Sequence, residues 1–191
     1  MTGALLDRRS RREQLLDAAD RIVQRDGPAA SMATIAAEAG ITKPVLYRHF
    51  GDKTGLYAAL ADRYTALLEA DLRAALLAGR TREERVRLTV DAYLAGIEEQ
   101  PQVYRFLLHS DEAASAQTRV RGFTRRLAAL LAEGIVAESG VPDLRAQAWA
   151  HGIVGLVQAA GDWWLETSPC PRAQVVEEVT ALLAGGYDLS G

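Results

Sequence analysis

Apolar residues recur every three to four positions along most of the chain, in segments separated by short breaks that contain Gly or Pro. This spacing is typical of amphipathic helices and predicts an all-α fold of about nine helices. The first helix is predicted over about 10–26, with Gly27 and Pro28 at its end, and residues 1–9 are expected to form a flexible arm. The strand-like run over 152–160 lies inside a longer helical pattern.

Residues 31–53 are expected to form two short helices joined by a tight turn, followed by the start of a third. Ser31 is a good N-cap for the first of them, and Gly40 ends it. Thr42 caps the second, whose first turn accommodates Pro44. Two helices joined by such a turn are typical of a helix-turn-helix, whose second helix enters the DNA major groove.

The outward positions of this segment carry the predicted DNA contacts. Long or hydroxyl-bearing donors suit phosphate oxygens, and an arginine suits guanine. The candidates are Ser31, Thr34, Thr42, Lys43, Pro44, Tyr47, Arg48 and Lys53, together with a basic cluster at the first helix, Arg8, Arg9, Arg11 and Arg12. Some of these candidates also have a role without DNA. Ser31 can act as a helix cap alone, Thr34 and Arg48 can simply face solvent, and the basic cluster can be a frayed, solvated terminus.

The run Leu-Tyr-x-His-Phe-x-x-Lys over 46–53, preceded by Ala-Gly-Ile-Thr-Lys-Pro-Val, resembles the DNA-binding region of TetR-type bacterial transcriptional regulators. The close match covers roughly residues 10–60. The resemblance implies that Tyr47 and Lys53 contact phosphates, that the protein is a homodimer, and that a cavity between helices four to eight holds a small molecule. We therefore expect a DNA-binding domain over 1–53 and a ligand-binding and dimerisation domain over 54–191.

The remaining helices follow from the same periodicity and from local breaks. A fourth helix is predicted from Asp52 to Leu77, and a capping box of Thr81 and Glu84 predicts the start of a fifth. Pro101 opens a sixth, and residues 109–116 are expected to be a loop or a weak helical turn. Helices are also predicted over 117–138 and 142–167, and a last one follows the Pro-Cys-Pro break and ends at Gly185. The two apolar C-terminal helices suggest a self-association surface, with an intramolecular core as the alternative.

Charge and cysteine content limit the functional classes. The net charge is −3, but residues 1–53 hold nine Lys/Arg against seven Asp/Glu, so the expected DNA-binding end is mildly basic and the remainder acidic. One cysteine, Cys170, excludes an intrachain disulfide. No run approaches the length of a membrane span, which favours a cytoplasmic protein.

Aromatic residues at helical spacing in the body are candidates for a pocket that binds a small molecule, with ordinary core packing as the alternative. A hydrophobic or amphipathic ligand fits better than an anionic one, because few charges fall on the inward stripes. The candidate residues are Tyr64, Tyr93, Tyr104, Phe106, Phe123, Trp149, Ile153 and Trp163. No metal ligand set and no cofactor are expected.

The sequence contains no motif for catalysis, so an enzyme is not expected. The favoured function is a repressor that binds a palindromic operator as a homodimer and is released by a small hydrophobic effector. The alternative is a helix-turn-helix DNA-binding protein without an effector, acting as an activator or an architectural factor.

Overall fold

The computed structural model describes residues 2–109 and 114–185, and within these residues it contains nine α-helices and no β-strand. The helices are α1 (Thr2–Asp26), α2 (Met32–Glu38), α3 (Lys43–Phe50), α4 (Lys53–Ala78), α5 (Arg82–Glu99), α6 (Pro101–His109), α7 (Ala114–Ser139), α8 (Asp143–Thr167) and α9 (Arg172–Gly185). The all-α prediction is confirmed. None of these helices combines the length and hydropathy needed to cross a membrane.

Two predicted irregular segments differ from the structure. Helix α1 begins at Thr2, so the flexible arm predicted over 1–9 is wrong for 2–9, and Met1 lies outside the described residues. The segment contains Ala, Leu and Arg but no proline, and these residues extend a helix at little cost. The loop or weak helical turn predicted over 109–116 is shorter in the structure, because His109 belongs to α6 and α7 begins at Ala114. Residues 110–113 lie outside the described part of the chain.

Reciprocal side-chain caps hold the starts of α2 and α5. At α5 the backbone N–H of Glu84 donates to Thr81 Oγ1 at 3.1 Å, and the Thr81 N–H donates to Glu84 Oε2 at 3.4 Å. This is the capping box predicted from the sequence. At α2 Ser31 pairs with Thr34 in the same manner. Each pair satisfies backbone donors that the first turn of a helix leaves without a partner.

The chain divides into two compact units. The first contains residues up to Thr65 together with Gln100–Val120, and the second contains Ala66–Glu99 together with residues from Arg121 onward. The first unit is therefore larger than the domain predicted over 1–53, since it also takes the beginning of α4 and all of α6. The boundary at residue 53 stays a prediction.

Tyr57 of α4 explains why the first unit extends beyond residue 53. Its ring is fully buried and meets the Phe106 ring of α6 edge-on, with 4.6 Å between the ring centroids. Its hydroxyl donates to the carbonyl oxygen of Ala30 at 3.4 Å. Tyr57 thus packs the first turns of α4 against α6 and against the residue that precedes the α2 cap.

The second unit is built around α5. This helix packs along α9, and Arg172, the first residue of α9, donates to Asp91 at 2.9 Å and also to Glu98. Helices α7 and α8 share a hydrophobic cluster whose buried side chains are small. The buried residues of that cluster are Ala128, Ala132, Ala146, Ala150 and Val154.

Candidate nucleic-acid interface and ligand cavity

Helices α2 and α3 form a helix-turn-helix on the core of the first unit. The turn between them passes through Gly40, whose φ is +64°, a conformation that a residue without a Cβ adopts easily. Ile35 of α2 and Leu46 of α3 are fully buried in the same cluster. Arg21 of α1 donates to Glu38 at the end of α2 at 2.9 Å, which fixes that end on the neighbouring helix.

Helix α3 presents one polar surface to solvent. Lys43 and Tyr47 are four residues apart, as are Pro44 and Arg48, so each pair lies on the same side of the helix. All four are exposed, and Tyr47 is 39% exposed although it is aromatic. Thr42, also exposed, occupies the N-cap position in extended backbone, but its hydroxyl makes no capping bond. We call these five residues the α3 outer surface.

The first turn of α4 follows this surface directly. Lys53 is its first residue and is half-buried, with its Nζ atom 5.5 Å from the centroid of the Tyr57 ring. Asp52 caps the helix, since its Oδ1 accepts from the Gly55 N–H at 2.7 Å. A lysine ammonium carries three N–H donors and a positive charge, so its chemistry suits a phosphate oxygen.

The basic cluster on α1 is only partly brought to the helix-turn-helix. The guanidinium carbon of Arg12 lies 4.9 Å from the centroid of the Phe50 ring at the end of α3. Arg11 donates to Gln14 of its own helix at 3.0 Å. Arg8 and Arg9 belong to the helical segment, but their side chains lie outside the described part.

The hydroxyls of Ser31 and Thr34 serve the cap of α2. The two oxygens are 2.6 Å apart, and the Thr34 N–H donates to Ser31 Oγ at 3.2 Å. The Ser31 N–H donates to Thr34 Oγ1 at 3.1 Å. Capping of α2 explains the hydrogen bonds of both hydroxyls, and contact of these residues with DNA stays a prediction.

The second unit contains a cavity of about 440 Å³, a size typical of sites for small molecules. Side chains of α4, α5, α7, α8 and α9 line it. Most of the lining is aliphatic and includes Leu72, Val86, Val90, Leu127, Leu131 and Val157. Such a lining favours a ligand with a large apolar part.

Three of the residues predicted for a pocket lie together on this cavity, namely Tyr93, Phe123 and Ile153. Trp149 and Trp163, which belong to the same unit, are not among its lining residues. Trp149 is half-buried beside Arg145, whose guanidinium carbon is 5.9 Å from the ring centroid, and Trp163 is 51% exposed.

The other predicted pocket aromatics belong to the first unit. Phe106 is buried in its core, and Tyr64 packs against the same cluster. Tyr104 is also buried. Helical spacing does not distinguish a ring that fills a core from one that borders a cavity.

The cavity also carries polar residues that were not singled out from the sequence. Arg73, Arg82 and Arg85 line it, with Glu138 and Thr89. Arg85 pairs with Glu138, and Arg73 pairs with Glu69 at 3.1 Å. The signal was present on α5, where Arg82, Arg85 and Thr89 share the helical spacing of Val86 and Val90.

Comparison with models of protein families shows to which family the chain belongs. The model for bacterial regulatory proteins of the tetR family matches residues 15–60, and the model for the tetracyclin repressor-like C-terminal domain matches residues 71–190. The chain belongs to the TetR family of bacterial transcriptional regulators. The first match contains α2, α3 and the start of α4, so the α3 outer surface lies in the family's DNA-binding region.

One relative of this TetR-family chain is the HTH-type transcriptional activator FasR of Mycolicibacterium smegmatis. It is 34% identical over 188 residues, which cover 96% of this chain and 86% of FasR.

Solved structures of the TetR type share the fold. FadR from Bacillus subtilis, in complex with stearoyl-CoA, aligns with a TM-score of 0.67 at 18% identity and covers 91% of this chain and 98% of its own. LfrR from Mycobacterium smegmatis, in complex with proflavine, aligns with a TM-score of 0.63 at 23% identity, and the alignment covers 92% of this chain and 96% of LfrR.

Proposed function

We propose that this TetR-family protein binds a palindromic DNA operator as a homodimer and that a small hydrophobic or amphipathic effector in the cavity controls this binding. The observation that carries the proposal is the α3 outer surface, which exposes three long polar side chains while Leu46 and Phe50 anchor the opposite face of the helix. In this proposal the protein acts with DNA in the cytoplasm and is not a catalyst.

The roles of the interface residues follow from their chemistry. Tyr47 and Lys53 contact phosphates, and Thr42 contacts a phosphate at the N-terminus of α3. Lys43 and Arg48 reach base edges or neighbouring phosphates, where an arginine pairs with two acceptors of guanine. Pro44 stiffens the start of the helix and offers no N–H to DNA. Arg12, held over Phe50, adds positive charge beside the end of α3.

A dimer through α8 and α9 is supported by an exposed stripe on α8. Gly152, Gly155, Ala159 and Trp163 follow each other at spacings of three and four residues, and all four are exposed. On α9 Leu182 is exposed as well. Small residues allow a second helix to approach closely, and an exposed tryptophan supplies apolar area for it to cover. In the dimer two copies of α3 would then lie about one DNA turn apart, roughly 34 Å.

The direction of regulation has two candidates. We propose a repressor that leaves DNA when the effector binds, because a ligand that prefers one conformer lowers the population of the other. An activator is the second candidate, favoured by the name of the relative FasR. A promoter carrying the operator upstream of a reporter gene separates them, since deleting the regulator raises expression under a repressor and lowers it under an activator.

The DNA-binding part is tested without knowledge of the operator. Duplexes selected from a random pool by the purified protein are sequenced, and their affinity is measured by fluorescence anisotropy at several salt concentrations. We expect an inverted repeat, a complex of one dimer per site, and an affinity that falls steeply with salt. Tyr47→Phe should weaken it roughly tenfold, because a hydrogen bond to a charged group is lost. No salt-sensitive affinity for any duplex would refute the proposal.

A further inference from the structure

The cavity of the second unit is polarised from a solvent-exposed basic end to a buried apolar end. Arg82 is exposed, and the side chain of Glu138, which pairs with Arg85, is 53% exposed. Tyr93 and Phe123, also on the lining, are 6% and 5% exposed. A ligand that enters from solvent therefore meets the charges first and places its remaining length among apolar side chains.

Helix α5 carries this gradient along one face. Arg82, Arg85, Thr89 and Tyr93 succeed each other at intervals of three or four residues, and all four line the cavity. At 1.5 Å per residue the eleven positions from Arg82 to Tyr93 span about 16 Å. The order along the helix is charged, hydroxyl-bearing and aromatic, which matches a molecule whose polar group is at one end.

Helix α7 repeats the gradient in the opposite chain direction. The ion pair of Glu138 with Arg85 joins the C-terminal end of α7 to the beginning of α5. Phe123 lies fifteen positions earlier on α7, about 22 Å along the helix, at the buried end of the lining. On α5 and α7 the charged lining residues therefore lie at the same end of the cavity. Arg73 of α4 lies apart from them, because it shares Glu69 with Arg126, three positions after Phe123 on α7.

Thr89 places a hydroxyl group between the polar end and the apolar end of the cavity. Its Oγ1 is buried and has no hydrogen-bond partner in the protein, although the residue lines the cavity. A buried hydroxyl without a partner is unfavourable, so a ligand acceptor or donor at this position would be recognised. A carbonyl or carboxyl oxygen next to an apolar chain meets this requirement.

The charges of the lining select the sign of the head group. At the end of the cavity where α5 begins, two arginines, Arg82 and Arg85, stand against one glutamate, Glu138, an excess of positive charge that attracts an anion more than a planar aromatic cation such as proflavine. We infer that the cavity takes a single-chain amphiphile with an anionic head at Arg82 and Arg85, a carbonyl near Thr89, and its apolar chain toward Tyr93 and Phe123. This inference rests on the proposed function and names its effector class. It keeps the amphipathic ligand expected from the sequence but revises the expectation against an anionic one, because charged side chains of α5 and α7 do line the cavity.

Two sources share this chemistry, a free long-chain fatty acid and its thioester on a phosphate-bearing carrier. The test titrates the purified full-length protein with palmitate, with palmitoyl-CoA and with cetyltrimethylammonium, each below its micelle concentration, by isothermal titration calorimetry. We expect one or both anionic probes to bind and the cationic chain of similar length to bind at least about tenfold more weakly, as expected when a charge-assisted contact is replaced by a repulsive one. Whichever anionic probe binds more tightly identifies the source.

Variants separate the head-group contacts from general effects. Arg82→Gln combined with Arg85→Gln should weaken the anionic probe about tenfold or more and leave the cationic one unchanged or tighter. Arg87→Gln is the matched control, because Arg87 is an exposed arginine of α5 that does not line this cavity. Thr89→Val keeps the shape of the side chain and should weaken the anionic probe several-fold without lowering the melting temperature.

Equal binding of anionic and cationic chains, or a double variant no weaker than the Arg87→Gln control, would overturn the inference. Operator affinity measured in parallel separates it from the proposed function. If proflavine but neither anionic chain binds and shifts operator affinity, the effector class is wrong and ligand control stands. If an anionic chain binds as expected but operator affinity is unchanged, the cavity assignment stands and ligand control fails.

Discussion

Gly55 of α4 lies so close to the carbonyl oxygen of Phe50 that a Cβ on the glycine would be 2.0 Å from that oxygen. Phe50 ends α3, and Gly55 belongs to the first turn of α4, where its N–H is bonded to Asp52. The contact involves backbone on both sides, so no rotation of a side chain can relieve it. The angle at which α4 leaves the helix-turn-helix therefore depends on the absence of a side chain at residue 55.

We predict that Gly55→Ala destabilises the protein and weakens operator binding. The added methyl forces α3 and α4 apart, and overpacking of this kind costs about 1–3 kcal/mol. The melting temperature and the anisotropy of labelled operator measure the two effects. Gly134→Ala is the control, since this helical glycine of α7 has open space around it and the change should raise stability by about 0.5–1 kcal/mol. A Gly55→Ala protein as stable as that control would contradict the prediction.

We predict that Lys53→Ala weakens operator binding and lowers the slope of log affinity against log salt by about one, because one phosphate contact is lost. The measurement is a salt series on the selected operator. Arg125→Ala removes the same charge from an exposed position of α7 in the second unit and should leave the slope unchanged. Equal slopes for the two variants would remove Lys53 from the interface.

Two caps of the same kind test whether Ser31 does more than begin a helix. Ser31→Ala and Thr81→Ala each remove a capping hydroxyl, and each should lower the free energy of unfolding by about 1 kcal/mol in urea titrations. We expect only Ser31→Ala to weaken operator binding, because Thr81 caps α5 in the second unit. Equal operator affinity in both variants would leave Ser31 as a cap alone.

Asp20 provides a pH-dependent prediction. Burial raises the pKa of this carboxyl above the ordinary aspartate range, against a smaller lowering by the hydrogen bond from Gln24. The folded state then holds the proton more tightly than the unfolded state, so ionisation of Asp20 opposes folding. The destabilisation is absent below the pKa of the unfolded state and is complete above the raised pKa of the folded state.

Asp20→Asn keeps an acceptor for Gln24 and carries no charge. We expect its melting temperature to exceed the wild-type value at pH 7 and the difference to disappear below about pH 4, where aspartate is protonated in both states. Thermal melts over that pH range measure it. Asp71→Asn, at an exposed position of α4, is the control for the substitution itself. A difference that persists at low pH would exclude desolvation as its cause.

Local chemistry made the helix boundaries readable from the sequence. Gly40, Pro101 and the pair of Thr81 with Glu84 act within one turn of the chain, and the structure has helix ends at each of them. The family motif over 46–53 marked helix α3 for the same reason, since its buried and exposed residues follow the helical period within eight positions.

Features that depend on distant contacts were not readable in this way. Phe106 and Phe123 have similar helical settings, yet the first fills a core and the second borders the cavity. The place of the α5 arginines on the cavity could not be predicted, because charged residues at the start of a helix usually face solvent. The early start of α1 was missed because composition alone did not separate a frayed terminus from a helical one.

Helix α5 places its cavity residues and its anchoring residues on separate faces, with Arg82, Arg85, Thr89 and Tyr93 on one and Asp91 and Glu98, which hold Arg172, on the other. Mutations can therefore alter what the cavity accepts while α9 stays fastened. Under the proposed function, a helix arranged in this way allows effector preference to drift during evolution without a matching loss of the assembled scaffold.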